Sequence, residues 1–529
     1  MKILILAGLF SSLILSTQIS QAQAPEVPPG PPPMEIEMVN PAEVYVNDVL
    51  ARASQMVQAN DKGGAMALLT ENFDRLARLR ASIFGNMLDV LLAQDNIQGA
   101  RSLYLQYAKH DQEFARAGID KIYLYYVQKK DRGAAIEWTG QLMDLPPPDD
   151  LQPQIFTWRL SAICSGGVTD EARALVRNCV AKFTPETCRS IFSPAIEAFI
   201  ENGKYDDAGR LLNIIEKEAR GIGALQSMVT AAKARIIITQ KRWDEGEAFL
   251  IKKASDLSDD DLAGFVSFAA SRAKENNEFD TVDRMSVFII KSQKEKNKSR
   301  PVAAAIGLNM LAINNKITEI PARFEQLLAM GLAPSALYSL YGEYFYTVIM
   351  LGNKDASKQM MAFGDKLSAR LDNPDDKKQM ALFLIDGLFT IGDYERSLQA
   401  VAANEKYWPQ EWRDSTRVKI GAHLALQNKN YKEAIEDFRK YMDCVAKKNV
   451  CLSDPASGQY YTPAMLLGFN ALRIGDILRD DLKDEDGARK AYDEAEQHFK
   501  KAMDEVRPNT KESAYVDEQM AKIAARKKK

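Results

Sequence analysis

Histidine is almost missing from this chain. His110, His423 and His498 are the three in 529 residues, and none has a second metal-type ligand at helical spacing, which argues against a zinc centre. Other marks of catalysis are missing too: no Gly-x-Ser-x-Gly elbow, no Walker loop and no Cys-x-x-Cys. The pair Gly221 and Gly223 lacks a third glycine and a preceding strand, so it reads as a helix stop. The closest approach to a calcium loop, residues 484–487, has Leu482 where the first ligand would stand and Asp493 where the last would. It serves better as the turn and N-cap before Ala488. The acidic cluster Asp256, Asp259, Asp260 and Asp261 precedes an apolar run, and Ser258 with Asp261 has capping-box spacing. We therefore expect no enzyme, no cofactor and no metal site.

An excess of one charge is also absent. Sixty-nine basic residues against 72 acidic give a net charge of −3, which leaves no electrostatic case for nucleic acid. Long apolar runs are confined to the N-terminus: Lys2, an apolar stretch at 3–15, and Ala22 and Ala24 have the form of a secretory signal peptide over residues 1–24. The stretch is shorter than the ~20 residues a span requires. After cleavage no transmembrane segment remains, and we expect an exported, periplasmic protein. Residues 25–41 form a proline-rich linker that cannot be helical through 25–34. Cysteine is scarce: in an exported chain the five permit two short-loop disulfides, Cys179 with Cys188 and Cys444 with Cys451, leaving Cys164 over.

What is abundant is a repeat. A small or β-branched residue opening a helix, with a large one four later, recurs at Ala65/Leu69, Ala100/Tyr104, Ala134/Trp138, Ala172/Val176, Ala208/Leu212 and Gly246/Leu250. It continues at Val282, Ile320/Phe324, Ala356/Met360, Ser397/Val401, Ala434/Phe438 and Ala488/Tyr492, mostly 34–41 residues apart. Short polar turns such as 94–96, 202–205 and 391–394 precede most of these markers, with Gly or Asn expected as the left-handed stop. The period implies helix pairs that bury their faces only against copies of themselves. One interval stretches to 54, over an insertion at 447–462 that carries Cys451, Tyr460 and Tyr461. Residues 507–529 read as a polar final helix with a frayed basic end.

Helix pairs with Asn-Tyr or Gly-Asp-Tyr turns followed by small-x-x-x-large, best seen at 428–442, 202–212 and 392–398, resemble tetratricopeptide repeats. The resemblance covers roughly residues 42–506, with the family's first-helix glycine mostly absent; HEAT-type and Sel1-type repeats are the alternatives. It implies an all-α, right-handed superhelical α-solenoid of about twelve antiparallel pairs whose first helices line a concave groove. At the family's groove positions stand Tyr338, Tyr341 and Phe345 in one first helix and Tyr123 and Tyr126 in another. The middle pairs present Thr157, Ser161, Ser193, Glu197, Arg235, Ser267 and Ser271, which implies a small polar floor. Tyrosines in a groove are suited to anchoring a protein or peptide. The resemblance thus implies a non-catalytic scaffold in cell-envelope assembly, with a glycan-binding superhelix or a regulatory subunit of a wall-modifying enzyme as the alternative. The sequon at 297–299 leaves a secreted eukaryotic origin open; the oligomeric state is not legible.

Overall fold

The computed structural model describes residues 41–73, 80–108, 112–145, 150–447, 462–506 and 510–527. They form twenty-five α-helices and, among the described residues, no strand. The chain divides into two compact units, up to Thr281 and from Val282. The first holds α1 Pro41–Gln58, α2 Lys62–Phe73, α3 Arg80–Ala93, α4 Ile97–Ala108, α5 Gln112–Gln128, α6 Arg132–Asp144, α7 Gln152–Cys164, α8 Asp170–Lys182, α9 Pro185–Glu201, α10 Tyr205–Glu218, α11 Gly223–Thr239, α12 Trp243–Lys253 and α13 Asp259–Asn276. Helix α14, Phe279–Ser292, spans the division. The second continues with α15 Ser299–Ile313, α16 Ile320–Ala329, α17 Pro334–Leu351, α18 Lys354–Ser368, α19 Pro374–Thr390, α20 Tyr394–Ala403, α21 Gln410–Gln427, α22 Tyr431–Ala446, α23 Pro463–Asp476, α24 Glu485–Glu505 and α25 Lys511–Lys527.

Within each unit odd helices pack on the even helix that follows them, for example α1 on α2, α11 on α12 and α21 on α22. Odd helices also pack on odd and even on even: α3 on α5, α7 on α9, α9 on α11 and α8 on α10 in the first unit, α16 on α18 and α17 on α19 in the second. This is the two-layer stacking of an all-α solenoid, in which a pair touches chiefly its neighbours. The twelve markers fall one on each even helix from α2 to α24, and eleven of them are buried. Ala134 is the exception. It is half-buried, while Ala135 beside it is 3% exposed, so the marker of α6 belongs one residue later than its sequence position suggested.

The turns give the physical reason for that correction. Eleven of the twelve odd-to-even turns contain a residue of positive φ: Asn60, Asp95, Lys130, Gly167, Gly203, Lys241, Asn277, Asn315, Gly392, Lys429 and Lys483. The buried marker comes five positions after each one, so Lys130 sets Ala135. At nine of the eleven the amide after the left-handed residue donates back into the odd helix, as in Asp131 N to Tyr126 O at 2.9 Å and Lys204 N to Phe199 O at 2.8 Å, closing a Schellman-type end. Glycine or asparagine was expected at these stops, yet lysine holds four of them. A left-handed conformation costs an L-residue about 1–2 kcal/mol, which the flanking packing offsets. No described helix is long and apolar enough to cross a membrane.

Candidate partner-binding face

The aromatic helix α17 is core, which corrects the expectation of a groove surface at two positions. Tyr341 is 1% and Phe345 0% exposed, and they pack with Phe324, Phe363 and Phe383 at ring-centroid distances of 5.0–6.1 Å. The Tyr341 hydroxyl donates to Met360 O at 3.2 Å, and burial pushes its pKa well above the ordinary phenol value. What admits these rings is glycine on the neighbouring helices. A Cβ on Gly364 of α18 would stand 2.5 Å from the Tyr341 hydroxyl, and one on Gly387 of α19 would stand 2.6 Å from Phe345 Cζ. Those two glycines were the signal in the sequence that could have placed the aromatics inside. Tyr338 differs: it is half-buried near Asp375 and Asp376, its pKa raised first by burial and then by those carboxylates.

In the first unit, Tyr123 and Tyr126 are also largely covered, at 7% and 5%, but each borders open space. Tyr123 stacks on Trp158 of α7, centroids 4.9 Å apart and planes at 15°, and its hydroxyl donates to Trp158 O at 3.3 Å. The Tyr126 hydroxyl accepts from Arg101 at 3.3 Å, and Arg101 also reaches Glu137 at 2.7 Å and Gln141 at 2.8 Å. Around them α5, the turn at Lys130–Asp131, α6 and α7 form a cleft of about 370 Å³, open to solvent, whose far wall includes Ser161, Ala162 and Ser165. Asp131 caps α6 by accepting from Ala134 N at 3.0 Å, and Arg132 donates to Ala162 O and Ile163 O at the end of α7, at 3.1 and 2.8 Å. The rim is thus tied by hydrogen bonds on both sides. Beside it, Leu124 and Val127 of α5 are 47% and 50% exposed, an apolar pair three residues apart on one face.

Farther along the same odd-helix layer the expected small polar floor is partly filled. The hydroxyls of Thr157, Ser193, Ser267 and Ser271 donate to carbonyls of their own helices at 2.7–2.9 Å. Glu197 on α9 pairs bidentately with Arg235 on α11, and the Arg235 guanidinium lies 4.6 Å from the ring centroid of Phe268 on α13. Arg272 approaches the same ring at 5.6 Å. Phe268 and Arg272 had no distinguishing signal in sequence, because their role depends on the register between two pairs. Next to this ladder, Asp261 on α13 is 5% exposed and accepts from Arg189 of α9, from Ser227 of α11 at 2.5 Å and from Ser258 at 2.7 Å. Ser258 accepts from Asp261 N at 3.1 Å, so the acidic cluster begins a helix and ties three odd helices together.

The remaining sequence candidates fall elsewhere. Tyr460, Tyr461 and Cys451 lie outside the described residues; Cys444 is disulfide-bonded. Cys179 and Cys188 stand as thiols with their sulfurs 3.0 Å apart; Cys164 is free and buried, its pKa pushed up to about 12 chiefly by burial. The basic end of α25 is tied down through Arg526, whose Nε lies 2.8 Å from Asp476, and Lys527, 2.5 Å from both Asp493 and Glu496. Lys528 and Lys529, the rest of the end expected to fray, lie outside the described residues. Asp484 caps α24, accepting from Gly487 N at 2.9 Å.

No family model and no curated protein matches the chain. Among solved structures, "Crystal structure of APC/C hetero-tetramer Cut9-Hcn1" matches at 15% identity and a TM-score of 0.23, covering 90% of this chain and 89% of that one. "Structure of Naa15/Naa10 bound to HypK-THB" matches at 12% identity and a TM-score of 0.23, covering 92% and 89%. At such scores the likeness carries no argument, and the fold rests on the chain's own helix order, period and layer packing: an all-α solenoid of antiparallel helix pairs.

Proposed function

We propose that this chain is a non-catalytic scaffold, exported to the periplasm, that holds a protein or peptide segment on its odd-helix face during cell-envelope assembly. The observation that carries the reading is the cleft of α5, α6 and α7 with Leu124 and Val127 exposed at its edge. Tyrosines, serines and two uncovered aliphatic side chains on a hydrogen-bonded frame suit a segment that brings one or two apolar anchors into a partly polar slot. Export is supported by the signal-like residues 1–24 and by the disulfide at Cys444, a bond favoured in oxidising compartments.

A photo-crosslinking residue placed at Val127 of the full chain in its own cells tests this against the same residue at Ile251, which is 53% exposed on the even helix α12. A discrete protein adduct at Val127 and none at Ile251 is the expected result. Equal patterns at both positions, or cell-wall fragments in place of a protein, would overturn it.

A further inference from the structure

Cys179, in the last turn of α8, and Cys188, in the first turn of α9, face each other across the corner at Phe183–Thr184. Their sulfurs are 3.0 Å apart, and Cys188 Sγ is also 3.2 Å from the carbonyl oxygen of Cys179, so the side chain lies directly over its counterpart's backbone. A covalent disulfide would need the sulfurs about 1 Å closer. The corner cannot easily splay: Pro185 starts α9, Thr184 caps it by accepting from Thr187 N at 3.3 Å, and Phe183 packs edge-on against Phe156 at 5.0 Å. The same chain already carries a disulfide at Cys444. We infer that Cys179 and Cys188 are a second disulfide site, oxidised while the chain folds, and that the bond staples the α8–α9 corner.

The chemistry is thiol–disulfide exchange with a disulfide donor, small molecule or protein. One cysteine thiolate attacks the donor and releases one donor thiol. The other cysteine thiolate then attacks the mixed disulfide and releases the second. Two electrons pass from the cysteine sulfurs to the donor, and the two cysteine protons end on the donor thiols. The timing follows from burial. Cys179 and Cys188 are 0% and 1% exposed, and burial raises both thiol pKa values, so a donor has neither access nor thiolate once the pair has packed. Cys164, at the end of α7, lies in the same core cluster, while the close sulfur–sulfur approach is between Cys179 and Cys188. The residue after Cys188 is Arg189, which holds Asp261 of α13, so the staple would fix the start of the helix on which that three-helix node depends.

The test uses the full chain, reduced, unfolded in denaturant and refolded with glutathione disulfide, then quenched in acid, alkylated and digested with trypsin. Cleavage after Arg177, Lys182 and Arg189 separates Cys179 into peptide 178–182 and Cys188 into peptide 183–189. The expected result is that these two peptides are recovered disulfide-linked with Cys164 alkylated, and that folded, reduced protein given glutathione disulfide without unfolding does not form the link. Recovery of Cys179 and Cys188 both alkylated, in a sample where Cys444 is found oxidised, overturns the inference. So does a link from either one to Cys164. Neither outcome depends on what binds the odd-helix face.

Discussion

Phe345 and Gly387 form a test pair for the claim that the aromatic helix is core. The Phe345 ring is fully buried between Tyr341 and Phe383, and replacing it with alanine removes those contacts and leaves a cavity, at a cost of about 3–5 kcal/mol. Gly387→Ala alone places a methyl 2.6 Å from Phe345 Cζ and 3.1 Å from Met361 Sδ, well inside the ~3.5–4 Å at which carbon atoms pack. Overpacking of that kind costs about 1–3 kcal/mol, against about 1 kcal/mol gained from alanine's helix propensity. In the double variant the methyl enters the space the ring has left. The clash with the ring disappears while the close contact with Met361 Sδ remains, and the propensity gain is common to the single and the double, so the pair should be less destabilised than the sum of the singles by about 1–2 kcal/mol, the part of the overpacking that the ring imposes. Urea unfolding followed by circular dichroism gives the energies. Native-state hydrogen exchange over α17, α18 and α19 localises them, since a repeat array need not unfold as one unit. Additivity within about 0.5 kcal/mol refutes the packing argument. A Phe345→Ala cost below about 0.5 kcal/mol refutes the burial itself and returns Phe345 to a surface.

Three more expectations follow from the turns, the node and the buried histidine. Lys241→Gly should stabilise the α11–α12 turn by about 0.5–1 kcal/mol, the left-handed strain less glycine's extra chain entropy, and Gly203→Ala should cost about 1 kcal/mol with no steric term, because nothing lies within 4 Å of the added Cβ; denaturant midpoints decide both. Asp261→Ala should cost about 3 kcal/mol by leaving Arg189, Ser227 and Ser258 without their acceptor, and it should speed amide exchange in α9, α11 and α13 together. His423, boxed by Phe389, Tyr394 and Phe438, has its pKa lowered to about 4, first by burial and then by Arg473 and Lys419. The folded state therefore takes up this proton later than the unfolded one, so its contribution is full above pH ~6.5 and declines by up to ~3 kcal/mol as pH falls towards 4. His423→Leu should flatten that slope; an unchanged slope would mean that the imidazole is hydrated.

Which parts of this architecture could be read from residues alone follows from the range of the interaction that sets each. The small-then-large marker is local: it records where an even helix meets the odd helix joined to it by a turn of a few residues, and eleven of twelve positions were recoverable without any knowledge of distant contacts. The slip at α6 is instructive because Gly133, Ala134 and Ala135 are all small, so composition could not choose among them, whereas the left-handed conformation of Lys130 does. That conformation was itself hidden, since lysine is a poor predictor of positive φ and holds it here only because the packed pair on either side demands it. Groove positions depend on longer-range register. Whether a tyrosine on an odd helix faces solvent or the next pair is decided by what stands opposite, and opposite Tyr341 and Phe345 stand Gly364 and Gly387, 23 and 42 residues away in sequence. No glycine with its added Cβ closest to Tyr126 is found among the described residues; Arg101 meets its hydroxyl, and the residue, though 5% exposed, lines the cleft. In a solenoid the aromatic richness of a single helix therefore says little about binding. The informative pattern is an aromatic whose neighbours in the next pairs lack the glycine that would admit it, and by that criterion the α5–α7 cleft, rather than α17, is where a partner should be sought.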